Sequence, residues 1–327
     1  MDSSVNPKDE GEKTMCEIWT MGEILVEIMR PKAGMELFEA GEFVGPFPSG
    51  APAIFIDTVA RMGHTCGIFG GVGKDDFGKN VLDRLKKDGV NVDYVFEDDT
   101  CSTAVAFVTY FEDGSRKFIY HIGNTPAVHP KEFDIKDIDS PKFFHIMGCS
   151  LMADDAFKQK IIDTAMVFAQ SGAKISFDPN IRPELLGGRT VDEVLGNVLA
   201  NCSVIMPGIE ELKMLTGEET IEGGVKKLFE YEKMEVVALK KGSKGSTLYS
   251  RNETVNCPLF RVEQVDPTGA GDCYDAALLC GLIEGNSLHV AGNMASAAGA
   301  LNVMKLGPME GDININNVRK LINEQRN

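Results

Sequence analysis

A short glycine-rich turn that carries an acid runs directly into an apolar helix in the last third of the chain. From Asp266 to Asp272 the sequence is DPTGAGD, and the apolar run follows at once. The first N–H groups of a helix lack intrahelical partners and lie at the positive end of its dipole. Gly269, Ala270 and Gly271 barely shield these donors, so a phosphate can bind against them. Asp272 then suits a general base for a hydroxyl that attacks a phosphoryl group, although Asp is also a common N-cap.

The residues from Val265 to Gly281 closely resemble the second signature motif of the ribokinase-like (PfkB) family of sugar kinases. This resemblance implies that Asp272 is the catalytic base and that the amides of residues 269–271 form the anion hole. It extends over nearly the whole chain, with details nearest to kinases of ketohexoses such as tagatose and fructose. The implied activity is transfer of the γ-phosphoryl group of ATP, with Mg²⁺, to a sugar hydroxyl.

Two early segments contain candidate substrate-binding residues by the same resemblance. Relatives often carry an Asp that binds sugar hydroxyls where this chain has Glu27, and a carboxylate can accept from two adjacent hydroxyls. An exposed charge at a strand end is the alternative for Glu27. Ser49 and Gly50 take the place of a Gly-Gly pair, and Ile54 replaces an Asn that contacts the sugar in relatives. Sugar recognition is therefore expected to differ in detail.

Two more substrate candidates follow a predicted strand near the middle of the chain. The segment from Asp178 to Arg182 resembles the family's Asp-x-Asn-x-Arg run. Polar groups beyond the carboxyl ends of parallel strands face the active-site cleft, so Asn180 and Arg182 are expected to hold the transferring phosphate or a sugar hydroxyl. A plain turn is the alternative, because Asp-Pro-Asn favours turns by itself.

His121 is a candidate substrate-binding residue because of its position on a predicted lid strand. Relatives that use acidic sugars such as 2-keto-3-deoxygluconate often carry Tyr-Arg there, whereas this chain has Tyr120-His121. A neutral imidazole is a poor substitute for the bidentate grip of Arg on a carboxylate. The substitution therefore favours a neutral sugar.

The nucleotide is expected to contact a lysine- and glycine-rich run after a Val-rich strand. Two glycines three residues apart let the backbone approach a ligand, and Lys240 can offset phosphate charge. By itself this run is a hairpin turn, but its position before Asp266 matches the family's nucleotide contact. The resemblance also places the adenine pocket near residues 293–301 and 307–308. The candidate nucleotide-binding residues are Lys240, Gly242, Ser243, Gly245, Asn293 and Gly307.

The candidate cation ligands come from the resemblance alone. Relatives carry an Asn-x-x-Glu run whose Glu contacts Mg²⁺ through water; here Glu211 is kept, and Gly208 replaces the Asn. Mg²⁺ usually keeps several waters and binds phosphate oxygens, so the change weakens the assignment without removing it. Asp266 and Thr268 are candidates for a monovalent cation such as K⁺, as in some relatives.

Composition and charge limit the other function classes. The 327 residues carry a net charge of −16, which disfavours general binding to nucleic acids or anionic membranes. Eight scattered cysteines include no Cys-x-x-Cys pair, so reduced thiols in a cytoplasmic protein are expected. Residues 1–15 are polar, which predicts a disordered tail and not a signal peptide. No apolar segment approaches the roughly 20 residues needed to span a bilayer.

The remaining pattern predicts one α/β domain over residues 16–327, and the resemblance implies that it is a ribokinase-like kinase domain. Short Val- and Ile-rich strands alternate with amphipathic helices, which indicates a three-layer sandwich around a mostly parallel sheet. Residues 103–121 depart from this alternation, because they predict two strands joined as a hairpin by a turn at Asp113-Gly114. The hairpin is a candidate lid, and an antiparallel sheet edge with no moving part is the alternative. The resemblance implies that the hairpin and residues 23–47 form a small β-sheet lid, from about 23–47 and 100–125, and a homodimer through that lid is expected. Two functions are alternatives to a ketohexose kinase. One is a catalytically silent sensor of a sugar or nucleotide, and the other is a kinase for 2-keto-3-deoxygluconate or ribose.

Overall fold

The structure is a computed structural model that describes residues 15–129, 135 and 138–326. The predicted tail, residues 1–15, lies outside the described residues except for Met15. The strands within the described part are β1 (Ile18–Met21), β2 (Leu25–Met29), β3 (Val44–Ser49), β4 (Cys66–Gly73), β5 (Val95–Asp98), β6 (Ala104–Tyr110), β7 (Arg116–His121), β8 (Phe143–Met147), β9 (Lys174–Asp178), β10 (Cys202–Ile205), β11 (Val236–Lys240), β12 (Ser246–Tyr249) and β13 (Thr254–Cys257). The helices are α1 (Ala51–Arg61), α2 (Asp76–Asp88), α3 (Gly148–Ala153), α4 (Asp155–Gln170), α5 (Pro183–Leu186), α6 (Val191–Leu199), α7 (Ile209–Thr216), α8 (Ile221–Leu228), α9 (Ala270–Ile283), α10 (Leu288–Asn302) and α11 (Ile315–Arg326).

The larger sheet has nine strands among the described residues, in the order β13-β12-β11-β10-β9-β8-β1-β4-β5. The seven strands from β11 to β5 pair in parallel, and β12 and β13 add an antiparallel edge. Apolar side chains fill both faces: one face packs on α1, α2, α9, α10 and α11, and the other on α4, α6, α7 and α8. The predicted three-layer α/β fold is confirmed.

Helix α9 is buried nearly all round, because it lies between the large sheet and α10. Its buried run of Ala, Leu and Cys side chains explains why it shows no polar face. Close packing against α10 needs small residues: a Cβ at Gly281 would lie 2.9 Å from the Cα of Ala291. The helix begins at Ala270, before the apolar run, so that Asp272 lies in its first turn.

The second sheet has four strands in the order β3-β2-β6-β7. Strands β2 and β6 pair in parallel, and β3 and β7 add antiparallel edges. The predicted hairpin is present as β6 and β7, and its turn uses the left-handed conformation of Gly114 and a hydrogen bond from the Ser115 amide to Asp113. This sheet, called the lid sheet below, faces the carboxyl ends of the central strands, where the cavity described next is found.

Among the residues that the structure describes, no helix is both long enough and apolar enough to cross a membrane.

Candidate active site

The first turn of α9 presents unpaired backbone donors. Gly269 precedes the helix in the left-handed region at φ 78°, and a Cβ there would lie 2.7 Å from the carbonyl oxygen of Pro308. The first helical hydrogen bond runs from the Cys273 amide to the Gly269 carbonyl at 2.9 Å. Within the described residues, the amides of Gly271 and Asp272 donate no hydrogen bond. They are therefore available to an anion at the positive end of the helix.

Asp272 stands beside these amides and is 7% exposed. Burial, and then the nearby carboxylate of Asp178, raise its pKa to about 7. The Asn180 side chain donates to its Oδ1 at 3.3 Å, and Asn180 reaches it from a left-handed conformation at φ 39° just after β9. A carboxylate with a pKa near neutrality takes up and releases a proton readily at physiological pH.

Lys240 brings a positive charge to the anion hole. Its Nζ lies 2.9 Å from Asp178 and 3.2 Å from Asp275, and a Cβ on Gly271 would be 3.8 Å from it. Burial alone would lower the pKa of Lys240, but these two carboxylates raise it well above its usual value. The lysine therefore remains charged beneath the first turn of α9.

A cavity lies between Asp272 and the lid sheet. Its lining includes Thr268 and Gly269 from the turn, Ile54 from α1, and side chains from β2, β3, β6 and β7. Glu27 of β2 is 3% exposed and accepts a hydrogen bond from the Ser49 hydroxyl at 2.8 Å. Its other oxygen, Oε1, is buried and has no partner among the described residues. Burial raises the pKa of Glu27 to about 7.

Two arginines and a tyrosine complete the lining. Arg116 and Tyr120 project from the same face of β7, and Arg182, which follows β9, also lines the cavity. Arg182 forms no salt bridge with any described carboxylate within 4 Å, and its guanidinium lies close enough to Tyr120 and Asp272 to shift their pKa values downward against burial. The cavity therefore contains positive charge as well as the carboxylates of Glu23, Glu27 and Asp272.

Comparison with known proteins places this arrangement in a family. Residues 19–314 match the model of the pfkB family carbohydrate kinases. The chain belongs to this family. It is a carbohydrate kinase, a phosphotransferase with an alcohol group as acceptor.

The curated relatives and solved structures agree with this assignment. The kinase is 30% identical to Fructokinase-1 of Oryza sativa subsp. japonica over 300 residues, 88% of this chain and 92% of that protein. It is 29% identical to Probable fructokinase-4 of Arabidopsis thaliana over 309 residues, 91% and 93% of the two chains. A structure described as a putative Ribokinase II in complex with ATP and Mg²⁺ from E. coli superposes with a TM-score of 0.85 at 38% identity, covering 95% of this chain and 100% of that one.

The structure places most of the predicted substrate residues around the cavity. Glu27, Ser49, Gly50, Asn180 and Arg182 all line it. His121 does not: successive residues of a strand face opposite sides, and Arg116, Phe118, Tyr120 and the following Ile122 face the cavity instead. The His121 ring lies edge-on to Phe107. His121 therefore lies on the face of β7 that does not line the cavity, and its contact with the sugar stays a prediction.

Glu211 acts as a helix-capping residue in the described structure. Its two oxygens accept hydrogen bonds from the amides of Ile181 at 2.8 Å and Gly208 at 2.7 Å. Gly208 is the N-cap of α7, so Glu211 closes the start of that helix and fixes the segment that carries Asn180. Contact with Mg²⁺ through water stays a prediction, and the described residues include no cluster of three His, Cys, Asp or Glu side chains that could hold a metal.

Asp266 and Thr268 form a network that reaches the lid sheet. Asp266 accepts from the Thr268 amide and hydroxyl at 2.9 and 2.7 Å and from the Gly307 amide at 2.9 Å. The hydroxyl of Tyr110, the last residue of β6, donates to Asp266 at 3.1 Å and also pairs with the Thr268 hydroxyl. The two Asp266 oxygens thus already have four donors, and the monovalent cation stays a prediction.

The other nucleotide candidates lie outside the cavity lining. The run after β11 is a 3₁₀ turn, Gly242–Lys244, that joins β11 to the antiparallel β12. Gly245 is at φ 76°, where a Cβ would lie 2.9 Å from the Leu259 amide, so close backbone packing requires glycine there. Asn293 is buried in α10 and donates to the His289 carbonyl at 3.0 Å. Nucleotide contact at Gly242, Ser243, Gly245, Asn293 and Gly307 remains a prediction.

Proposed function

We propose that this kinase transfers the γ-phosphoryl group of ATP to the terminal primary hydroxyl of a neutral ketohexose of the fructose or tagatose type. One observation carries the proposal: Asp272, with a pKa near 7, lies between unpaired helix amides and a cavity covered by the lid sheet. A phosphate at the amides and a hydroxyl in the cavity would both lie next to the same carboxylate. This is the arrangement that in-line phosphoryl transfer needs.

Each residue then has a distinct task. Asp272 takes the proton of the attacking hydroxyl, and the Gly271 and Asp272 amides with Lys240 hold the phosphoryl oxygens. Glu27, kept in place by Ser49, accepts from a sugar hydroxyl through its unpartnered Oε1. The lid sheet excludes water, which would otherwise compete with the sugar as acceptor.

ATP and Mg²⁺ fit the donor set at the helix. The amides of α9 and the charge of Lys240 suit phosphate groups, and the related E. coli structure is described as a complex with ATP and Mg²⁺. Bound together, they supply the activated phosphoryl group and neutralise part of its charge. Mg²⁺ is expected to bind mainly phosphate oxygens and water, with Glu211 at most a water-mediated partner.

The ketohexose assignment rests on the relatives' names and on the chemistry of the cavity. The curated relatives named above are fructokinases. Glu27 and Asn180 offer acceptors and donors that suit a polyhydroxylated neutral sugar. Ile54, which replaces a polar family residue, adds an apolar wall.

A second candidate substrate is an acidic sugar such as 2-keto-3-deoxygluconate. The guanidinium groups of Arg116 and Arg182 both line the cavity, and arginine binds carboxylates in a bidentate manner. His121, which disfavoured an acidic sugar in the sequence, lies on the other face of β7. The cavity itself offers the guanidinium groups of Arg116 and Arg182 to a substrate carboxylate.

The deciding experiment measures kcat/KM by coupled ADP release for fructose, tagatose, ribose, 2-keto-3-deoxygluconate and adenosine under one set of conditions. A preference for a ketohexose supports the proposal. A preference of tenfold or more for the keto acid or the nucleoside would reject the neutral ketohexose and leave the kinase in place. Calorimetric binding of a sugar without turnover would instead support a sensor.

We also propose a cytoplasmic homodimer that associates through the outer face of the lid sheet. All eight cysteines lie among the described residues, and none forms a disulfide, as expected in a reducing compartment. Phe38, Phe43 and Ile119 expose 82%, 39% and 43% of their surface on the lid segments, which leaves apolar area for a second copy. Light scattering of wild type and Ile119→Lys tests this: a monomeric wild type, or a variant that stays dimeric, would reject the lid interface.

A further inference from the structure

Tyr110 is a residue of the lid sheet that makes its polar contacts outside that sheet. Its hydroxyl reaches the segment just before the anion hole, donating to Asp266 Oδ1 at 3.1 Å and pairing with the Thr268 hydroxyl. Thr268 is followed directly by Gly269, the residue that orients the first turn of α9. Burial, and then the charge of Asp266, raise the pKa of Tyr110, so the hydroxyl keeps its proton. The contact therefore remains a hydrogen bond over the working pH range.

The loop that Tyr110 contacts is held from two other directions. The Gly307 amide donates to Asp266 Oδ2 at 2.9 Å, and the Asn302 side chain donates to the Thr268 carbonyl at 2.7 Å. Asp266 is 1% exposed, so each lost donor leaves a buried carboxylate less satisfied. Both of these donors come from α10 and the segment that follows it. Tyr110, in contrast, donates to Asp266 from the lid sheet.

A second contact joins the same two regions. A Cβ on Gly307 would lie 2.7 Å from the ring of Phe47, a residue of β3. The lid sheet thus meets the 266–268 loop through the Tyr110 hydroxyl and the 307 loop through the Phe47 ring. Both loops border Gly269, whose Cβ position is enclosed by Pro308, Asn302 and Ile54. A shift of the lid sheet is therefore transmitted to the amides of the anion hole.

We propose that Tyr110 is a positioning residue that couples the lid sheet to the anion hole. When the lid sheet covers the sugar, the Tyr110 hydroxyl fixes Asp266 and Thr268, and so sets the direction of the Gly271 and Asp272 amides. Misplacement of catalytic groups by about 1 Å can cost roughly 100-fold in rate, so one hydrogen bond at this point affects turnover. The inference rests on the proposed role of the 269–272 turn in binding the transferring phosphoryl group.

A double-mutant cycle on kcat tests the coupling, using the panel sugar that turns over fastest. Tyr110→Phe removes the hydroxyl and keeps the ring, and Thr268→Val removes its partner. We expect each variant to lower kcat about tenfold, and the double variant to be no slower than the slower single variant, because each substitution breaks the same connection between the lid sheet and the 266–268 loop. The sugar KM is expected to change less than threefold. Multiplication of the two losses, or full activity of Tyr110→Phe, would refute the coupling.

Two controls separate positioning from a general loss of structure. Tyr231→Phe makes the same chemical change after α8, away from the cavity, and should leave kcat unchanged. Thr268→Ser retains the hydroxyl and should restore the kcat that Thr268→Val loses. If Thr268→Ser stays as slow as Thr268→Val while both melt like wild type, the hydroxyl pair is not the cause, and the inference fails.

A binding measurement gives a readout apart from turnover. In wild type, a saturating sugar should tighten ADP binding severalfold by calorimetry, since the covered state holds the amides in place. Tyr110→Phe should bind ADP alone as wild type does but lose most of this sugar-dependent gain. An equal gain in both proteins would overturn the coupling. A wild type without turnover on any panel sugar would instead refute the proposed function.

Discussion

The phosphate end and the sugar end of the cavity are built in different ways. At the proposed phosphate end, the unpaired backbone amides belong to two consecutive residues of one helix, and Asp272 belongs to the same turn. At the proposed sugar end, Glu27, Ser49, Arg116 and Tyr120 come from three strands and line the cavity with their side chains. Backbone donors are the same for any residue, whereas side chains can be exchanged. We therefore expect phosphate binding to depend on local chain geometry, and substrate choice to depend on side chains that are distant in sequence.

The largest expected effect comes from removing the base at the phosphate end. Asp272→Asn should lower kcat by about 10² to 10⁴, since the attacking hydroxyl loses its proton acceptor. Steady-state kinetics with saturating sugar and ATP measures this. Wild-type turnover by a folded Asp272→Asn protein would contradict the assigned role.

The same variant has a stability signature with a defined sign. Burial raises the pKa of Asp272 to about 7 in the folded protein, above its value in the unfolded chain. The group's contribution to stability is therefore complete at low pH and is lost as the pH rises through about 7. Asp272→Asn should melt at a higher temperature than wild type at about pH 8 and nearly with it at about pH 4. A lower melting temperature for the variant at both pH values would argue against a destabilising carboxylate.

Gly269→Ala tests whether backbone geometry fixes the phosphate end. A Cβ at φ 78° is strained and would meet the Pro308 carbonyl, so we expect about 1–3 kcal/mol lower stability and at least tenfold lower kcat. Gly285→Ala is the matched control, because Gly285 has φ 75° and nothing within 4 Å of its Cβ position. Equal effects of the two substitutions on kcat would show that strain alone, and not the position of the amides, matters.

Glu27→Gln tests the side chains at the sugar end. The amide retains one acceptor but replaces the other with a donor, so a hydroxyl that donates to Oε1 loses its partner. The KM for the sugar should rise about tenfold, corresponding to 1–1.5 kcal/mol, while the KM for ATP stays constant. Glu36→Gln, on the lid segment but paired with Lys117, should change neither value. An equal rise in the KM for ATP would contradict a role of Glu27 in sugar binding alone.

The smallest expected effect is that of the Arg116 charge, at the sugar end, on the pKa of Asp272 at the phosphate end. Arg116 lies across the cavity and works against burial by lowering the pKa of Asp272, so Arg116→Gln should raise that pKa. The acid limb of the kcat/KM profile should then move to higher pH by a fraction of a unit, with the base protonated over a wider range. Lys117→Gln, one residue further along and on the other face of β7, is the control. A shift of equal size in both variants would exclude a specific effect of Arg116.

The sequence predicts the phosphate end from one contiguous segment, whereas the sugar end combines residues from separate strands. Residues 269–272 form a contiguous motif whose local conformation determines what it can bind. The fold class and the lid hairpin also followed from periodicity and turn residues, and both are present in the structure. What periodicity left open was the exact start of α9, which depends on the left-handed Gly269.

Residues at the sugar end were harder to predict, because successive residues of a strand face opposite sides of the sheet and only one side faces the cavity. Arg116 and His121 lie on the same strand, and only the placement of the strand against β6 shows that Arg116 faces inward. The β7 alternation of Arg116, Phe118 and Tyr120 was the signal that could have identified this face. Glu211 illustrates another limit: its bond to the Ile181 amide joins two segments that are 30 residues apart, and no local pattern encodes their proximity.

The short connections at the base of the lid sheet limit how it can move. Only Gly22–Ile24 separate β1 from β2, and Gly50 alone separates β3 from α1. A Cβ on Gly50 would clash with the Glu23 carbonyl, so these two connections cross each other closely. These short connections leave little slack for the sheet to slide along the large sheet. We therefore expect a bulkier acceptor to change the tilt of the sheet more than its lateral position.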